Sequence, residues 1–392
     1  MKFCIKICFC LFFISGVFAQ TVDLENINRK IIEKFQKPVF SLSGGVSASG
    51  VYYHSEMAHN RAPFTYFLSG NLQIGVYDWN IPLSYHYSNQ GAHFKYTLPF
   101  SFNRLSLHPK YKSLQFHIGD VSMNFSPYTY NGLPFTGFGF EFTPDEFPLR
   151  GSVFAGKLQR AVEYNPDVQG SKPYYERWGY GLNLQWVKPQ YELRLIGFYA
   201  KDNENSLQGE IPSALNVRPE QGLSYSAFGK VKPFSFVDIY AEYAVSKLVE
   251  DVRFAPNTAV FSNSEAHQHN ALNAGINFSF VLGSVGLRYE RVAPDYRTLG
   301  AYYFVNDMEN LTLNTSLHLL GNRLNISGNV GKQHDNLNAQ KTMDSNQWVG
   351  AVNINYKPTE KLDMTLNYSN FTSFTNRRLN QFDEINQNPL HL

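Results

Sequence analysis

Cysteine and long apolar runs are missing from almost the whole chain. The three cysteines, Cys4, Cys8 and Cys10, lie within the first ten of 392 residues. The rest of the chain therefore has no thiol for a disulfide, a thiolate metal site or a cysteine nucleophile. Beyond residue 19 no apolar run reaches the roughly 18 residues that a membrane-spanning helix needs, which excludes a helical membrane protein.

Charge is scarce and balanced, since 17% of the residues are charged and 34 Lys and Arg accompany 32 Asp and Glu. Without Lys2 and Lys6, 32 basic residues oppose 32 acidic ones, so the composition predicts no nucleic-acid partner and no polybasic lipid-binding patch. Aromatic residues are abundant instead, with 32 Phe and 25 Tyr. That much aromatic surface excludes a disordered chain and has to be buried in something.

The N-terminus predicts export. Residues 1–19 read MKFCIKICFCLFFISGVFA, in which two lysines precede an apolar run that ends in a small residue before Gln20. This is the pattern of a cleaved secretory signal peptide, and the absence of cysteine at the cleavage point excludes a lipoprotein. Residues 20–37 then form an amphipathic lead of helical period, either capping the periplasmic mouth of the fold or docking a partner. The apolar positions of that lead are Leu24, Ile27, Ile31 and Phe35.

Most of the remaining chain has a period of two. From residue 272 to residue 280 every even position is apolar and every odd position is polar or glycine, and the same alternation runs through residues 178–186. A strand with one apolar and one polar face gives this pattern. We predict about 17 strands. Their approximate spans are 39–49, 65–76, 80–88, 93–100, 113–120, 136–142, 149–159, 177–187, 191–200, 222–231, 236–246, 271–281, 284–291, 311–319, 323–331, 347–356 and 361–370.

Strand length and connection length distinguish a membrane barrel from a soluble sheet. The clearest strands run about 9–11 residues, the length of a tilted membrane-spanning strand. Connections alternate between tight turns, such as Leu320-Gly321-Asn322, and long polar segments, such as 201–221. Bacterial outer-membrane barrels have short periplasmic turns and long external loops in this order. The sequence therefore predicts an all-β fold, a transmembrane antiparallel β-barrel of about 16–18 or more strands over residues 38–392, with outer-membrane lipid as its surroundings.

One connection on the long-loop side is unusually apolar. Residues 119–135 read GDVSMNFSPYTYNGLPF. An exposed loop of this composition has to be covered, either by the barrel lumen into which it folds or by a partner protein. The aromatic and apolar candidates in it are Met123, Phe125, Tyr128, Tyr130 and Phe135.

The polar register of the strands supplies the candidates that face the lumen. They are Glu192, Arg194, Lys230, Asp238, Glu242, Arg288, Glu290, His318 and Asp363. A charge-filtering pore concentrates one sign at its constriction, whereas interleaved signs more often pair and stiffen the wall. Both interpretations stay open for each residue. No spacing of Ser, His, Asp or Glu predicts a catalytic site, a metal site or a cofactor, so we do not expect an enzyme.

Several segments resemble a group of outer-membrane β-barrel proteins of the Bacteroidota. They are PFTYFLSGNLQIGVYDWNIPLSYHYSNQ, NFSPYTYNGLPFTGFGFEFTP, AGKLQRAVEY, RWGYGLNLQW, FYAKD, YERVAPDYRTLGAYYFVNDMENLTLN and GNRLNISGNVG. The resemblance covers nearly the whole chain after the signal peptide. It implies the fold and the compartment and carries over no activity.

Two classes of function follow. The first is a porin-like barrel that passes or takes up a small solute, and the second is a non-conducting scaffold whose long loops bind a surface or secretion-machinery protein. A TonB-dependent transporter is disfavoured, because those barrels carry a plug domain of about a hundred residues or more and here barely 20 residues precede the first strand.

The end of the chain carries a further expectation. If every long connection is external, the strand at 361–370 runs outward, and residues 371–392 show no alternation. Single-chain bacterial barrels have an even number of strands with both ends in the periplasm. We therefore expect the natural product to continue by at least one strand beyond Leu392.

Overall fold

A computed structural model describes residues 39–54, 63–89, 98–168, 170–255, 259–261, 266–302, 305–341 and 345–370. The predicted signal peptide, the amphipathic lead and residues 371–392 lie outside these ranges. The strands are β1 (Phe40–Tyr52), β2 (Phe64–Val76), β3 (Trp79–Ser88), β4 (Arg104–Leu107), β5 (Lys110–Tyr111), β6 (Leu114–Asn124), β7 (Asn131–Phe142), β8 (Leu149–Gln159), β9 (Glu176–Lys188), β10 (Tyr191–Asn203), β11 (Gln221–Phe234), β12 (Val237–Val249), β13 (His267–Phe280), β14 (Gly283–Val292), β15 (Met308–Leu319), β16 (Leu324–Asp335), β17 (Asn346–Thr359) and β18 (Leu362–Asn370).

The strands form one antiparallel meander, in which each pairs with its neighbours along the chain. Strands β4 and β5 both pair with β3 and β6, so they are two pieces of one interrupted strand. The break falls at His108 and Pro109, where proline cannot donate to the ladder. Within the described ranges β1 pairs only with β2, and β18 only with β17.

Connections alternate in length as predicted. The turns after β9, β11 and β13 each span two residues, whereas the connections after β8, β10, β12 and β14 span residues 160–175, 204–220, 250–266 and 293–307. Successive hairpins in a meander place the short turns at one end of the sheet and the long loops at the other. Short 3₁₀ turns lie within the long loops, at Glu204–Ser206, Ser213–Leu215, Val252–Phe254 and Ala259–Phe261. No helix in the described part of the chain is long and apolar enough to cross a membrane.

The two faces of the sheet match the predicted alternation. On β9 the side chains of Trp178, Tyr180, Leu182 and Leu184 are 40–48% exposed on the outer face, while the intervening Asn183 is 4% exposed on the inner face. The same exposed apolar band continues through Leu195, Leu287, Leu313 and Val330 on later strands. An apolar outer face and a polar inner face are the arrangement of a barrel in lipid. The predicted fold class, a transmembrane antiparallel β-barrel, is confirmed.

Two details of the strand prediction are wrong. Residues 98–100 of the strand expected at 93–100 are irregular, and the position beside β3 is filled by β4 and β5; residues 93–97 lie outside the described ranges. The apolar segment 119–135 is also not one long connection. Strands β6 and β7 pair within this segment and leave only residues 125–130 as the tip of a hairpin.

Candidate functional site

The hairpin of β6 and β7 folds into the barrel. We call residues 121–135 the plug hairpin. Its apolar side chains are almost fully covered, and Tyr130 is 0% exposed although it lies at the tip between two strands. The apolar cluster in which it lies also contains Phe154 of β8 and Phe198 of β10, so the largest apolar core among the described residues lies inside the lumen. All five aromatic and apolar candidates are buried in the hairpin: Met123, Phe125, Tyr128, Tyr130 and Phe135.

Stacked rings join the plug hairpin to the wall. The Tyr130 ring lies 4.4 Å from that of Phe154 and 5.2 Å from that of Phe198, and Phe135 stacks on Phe154 at 4.5 Å. Gly181 of β9 makes room for these rings, because a Cβ there would lie 2.1 Å from Phe154 and 2.7 Å from Phe125. Aromatic pairs in this range add to the free energy of area burial. The alternating glycines of the segment RWGYGLNLQW therefore accommodate a packed core.

Acidic side chains of the wall bind the polar groups of the hairpin tip. Ser126 donates from Oγ to Glu242 of β12 at 2.5 Å, and the Tyr128 hydroxyl donates to Glu290 of β14. Burial and the neighbouring carboxylate raise the pKa of Tyr128 above its usual range, so this hydroxyl remains a donor. Arg288 Nη2 holds the other oxygen of Glu290 at 2.9 Å. Charge-assisted hydrogen bonds are about twice as strong as neutral ones, so these contacts fix the tip.

A second loop closes over the tip. We call residues 293–307, which connect β14 and β15, the clasp loop. Tyr296 Oη donates to the carbonyl of Tyr128 at 2.7 Å, and Thr298 Oγ1 donates to the carbonyl of Thr129 at 2.6 Å. The carbonyl of Gly300 accepts from Asn131 N at 2.9 Å. A Cβ at Gly300 would lie 2.3 Å from the Thr129 carbonyl oxygen, so only glycine allows this approach.

A network of ion pairs around the buried Asp202 anchors the clasp loop at the long-loop end. Arg177 of β9 holds both carboxylate oxygens of Asp202, which is 2% exposed, at 2.7 and 2.9 Å. Arg177 also reaches Glu220 at 3.0 Å, and Glu220 in turn binds Arg297 of the clasp loop at 2.5 Å. This network connects β9, β10, the loop before β11 and the clasp loop. The plug hairpin and the clasp loop are therefore one fixed plug rather than two free loops.

The structure places all nine predicted lumen residues on the inward register and brings most of them into pairs. Glu242, Arg288 and Glu290 hold the plug. Nearer the short-turn end, Arg194 binds Glu192 at 2.5 Å and Lys230 binds Asp238 at 3.4 Å. Farther along the sheet, His318 Nδ1 lies 2.7 Å from Asn325 Oδ1, and Asp363 binds Lys357 at 2.8 Å. In the described part of the chain no three His, Cys, Asp or Glu side chains converge on a metal site.

The inner face of the six end strands, β1–β3 and β16–β18, is different. We call its exposed or half-exposed serine, threonine, asparagine and glutamine positions the neutral wall. They carry hydroxyls and amides: Ser41, Ser43, Ser47 and Ser49 on β1, Asn71 and Gln73 on β2, Asn80 and Ser84 on β3, Ser327 and Asn329 on β16, Asn353 on β17, and Thr365, Asn367 and Ser369 on β18. Neighbours bond along it, since Gly45 N donates to Asn71 Oδ1 at 3.0 Å and Ala351 N to Asn329 Oδ1 at 2.9 Å.

Sequence reasoning missed the clasp loop and the neutral wall. Residues 293–307 contain an ordinary mixture of polar and aromatic residues, so nothing in their composition separates them from the other long loops. The neutral wall did have a signal. Its strands alternate apolar residues with Ser and Asn, whereas the inward positions of β10–β14 include Glu, Arg, Lys and Asp. Comparing inward residue types strand by strand would have found it.

No family model and no curated protein matches this chain. Solved structures with a related fold include the outer membrane protein opdK from Pseudomonas aeruginosa, with a TM-score of 0.42, 11% identity and coverage of 78% of this chain and 86% of that one. OpdQ of the same organism has a TM-score of 0.44 and 9% identity, covering 85% and 93%. OccAB2 of Acinetobacter baumannii has a TM-score of 0.41 and 9% identity, covering 86% and 93%. Similarity this low carries no argument about function, which depends on the residues of this chain.

Proposed function

We propose that this chain is an outer-membrane pore for small solutes, narrowed from one side by a fixed internal plug. The observation that carries the proposal is the unequal filling of the lumen. The plug packs on strands β8–β14, while the polar inner face of the six end strands stays exposed in the described part of the chain. A barrel wall that exposes hydroxyls and amides inward and apolar side chains outward supports a water-filled path. The resemblance to barrels of the Bacteroidota agrees with this compartment and stays a prediction.

The plug narrows this path without a hinge of its own. Its tip is bonded to the wall through Ser126 and Tyr128 and to the clasp loop through the carbonyl of Thr129. Opening would have to break these contacts together with the ring stacking around Tyr130. The proposed pore is therefore always open, with a bore set by the plug, rather than gated by it.

Single-channel recording in planar bilayers tests this proposal. The purified protein is expected to give steady openings, and replacing residues 125–130 by Gly-Gly should raise the unitary conductance because it removes the tip from the lumen. Deleting the exposed residues 338–340 of the loop after β16 is the matched control and should leave the conductance unchanged. A folded protein that gives no openings with or without its tip would contradict the proposal.

One observation that favoured the alternative function, a non-conducting scaffold, does not hold in the structure. The aromatic segment was the surface expected to bind a protein partner, and its side chains are buried inside the barrel. A partner at the other long loops stays a prediction. The same recordings distinguish the two functions, because a scaffold gives no openings.

A further inference from the structure

We infer that the solute which passes this barrel is uncharged and rich in hydroxyl groups, of the class of small saccharides. The inference rests on the proposed pore function and names its substrate class. It comes from the chemistry of the neutral wall. On the inner face of β1 and β2 the exposed side chains are serine, asparagine and glutamine, with Val51 at the long-loop end. On β18 they are threonine, asparagine and serine beside one aspartate.

The ionised groups of this face lie at its two rims and are paired. At the short-turn rim Asp363 binds Lys357 at 2.8 Å. At the long-loop rim the 8% exposed Asp335 binds Lys341 at 3.0 Å. Between these rims, the described inward positions of β1, β2 and β16–β18 carry no Asp, Glu, Lys or Arg. Between the rims, an ion crossing beside these five strands would meet no fixed charge on them that compensates for the loss of its hydration.

The charges of the opposite face are mostly paired. Arg194 binds Glu192 at 2.5 Å and Arg288 binds Glu290 at 2.9 Å. Arg104 of β4, Lys110 of β5 and Arg150 of β8 also lie on the inward register, and among the described residues no carboxylate forms an ion pair with them. Glu242, 7% exposed, is covered by Ser126 of the plug. A charge-selective channel needs unmatched charge of one sign at its narrow part, and these pairs do not provide it.

Hydroxyls and amides suit a polyhydroxylated solute for a direct reason. Each is a donor and an acceptor together, so the wall can exchange the hydrogen bonds of water for those of sugar hydroxyls at little net cost. One ring accompanies them, because Phe67 of β2 shares the inward register with Ser69 and Asn71, and its centroid lies 6.2 Å from that of His86. An aromatic face packs on the C–H face of a pyranose, which neither an ion nor water requires.

Liposome swelling with glucose, gluconate and glucosamine tests the inference, because the three differ little in size and carry no charge, a negative charge and a positive charge. Glucose is expected to enter fastest. In a KCl gradient the reversal potential should correspond to a K⁺ to Cl⁻ permeability ratio between about 0.5 and 2. Faster entry of gluconate or glucosamine, or a ratio far outside that range, would overturn the inference and leave the pore function intact.

A charge placed on the neutral wall sharpens the test. The variant Asn71→Asp, Asn329→Asp, Asn367→Asp keeps an oxygen where each asparagine Oδ1 now accepts a hydrogen bond. It should raise the K⁺ to Cl⁻ ratio at least about threefold and slow gluconate further. Asn338→Asp, on an exposed loop, is the matched control. An unchanged ratio in the triple variant would show that solutes do not pass this wall. Absence of any conductance or swelling overturns the pore function, and the inference with it.

Discussion

The inner faces of β8–β14 and of the six end strands show the same alternation of polar and apolar residues. The inward side chains of β8–β14 pack against the plug, whereas those of the end strands stay exposed. On β8 and β10 the inward positions hold Phe154, at 4% exposure, and Phe198, at 1%, which pack as in a soluble core. On β1 every position is exposed, and on β18 too. The period of two determines which side chains point inward on both walls. Whether an inward side chain is buried or exposed to water depends on whether a loop folds back into the lumen and contacts it.

The wall that the plug covers, β8–β14, differs from the neutral wall in its glycines and its charged residues. The plugged wall has an inward glycine where a plug ring needs volume, at Gly181, and an acid where the plug has a hydroxyl, at Glu242 and Glu290. The neutral wall has neither feature. A closely packed interior penalises a lost side chain through the cavity that remains, whereas a solvated face lets water replace it. The comparison therefore predicts how much single substitutions cost on each wall.

The largest effect is expected from Phe154→Ala. This ring contacts Tyr130, Phe135 and Phe198, so its removal leaves a cavity at the centre of the lumen core. We expect a loss of about 3–5 kcal/mol in the free energy of unfolding, measured by denaturant titration in detergent micelles. A loss near zero would mean that the plug is not packed on this wall in solution and would remove one half of the comparison.

A charge on the lipid face should cost slightly less. Leu313 of β15 is 49% exposed on the outer face between Leu287 and Val330. Leu313→Arg should lower the free energy of unfolding by about 2–4 kcal/mol if it lies near the bilayer midplane, and it should reduce the folded fraction on unboiled gels. The neighbouring Asn314→Arg faces the lumen and is the control, expected to fold normally. Equal damage at both positions would indicate a sheet buried on both faces, which contradicts a membrane barrel.

Two Tyr–Glu hydrogen bonds, one inside the barrel and one on its outer face, allow a comparison with smaller expected effects. Tyr128 donates to Glu290 in the plug, and Tyr289 donates to Glu309 at 2.6 Å on the outer register of neighbouring strands. Glu290→Gln removes a charge that also holds Arg288, so we expect a loss of about 1–3 kcal/mol and noisier channel openings. Glu309→Gln should cost under about 1 kcal/mol. Similar costs for the two would show that the plug contact is no stronger than a surface one.

The sequence predicts the scaffold of this protein better than its interior. Alternation and turn spacing locate strands such as β8 and β9 to within a residue or two, because each depends on local periodicity. The interrupted strand of β4 and β5 escapes prediction, since each piece is too short to show a period of two and is held in place by pairing with β3 and β6. The apolar segment 119–135 is recognisable as needing cover. Its contacts with Glu242 and Thr298, over 100 residues away, depend on the barrel having formed and have no local signal.

The smallest effect belongs to the neutral wall. Asn353 is exposed on β17, and its amide donates to Asn367 on β18. In Asn353→Ala both the lost donor and the remaining acceptor can be replaced by water, so the free energy of unfolding should change by less than about 0.5 kcal/mol. Denaturant titration beside Phe154→Ala provides the comparison within one experiment, and the conductance should rise slightly because a side chain has left the path. A cost of several kcal/mol at Asn353 would mean that a segment covers this wall as the plug covers the other, and the path proposed along it would then be closed.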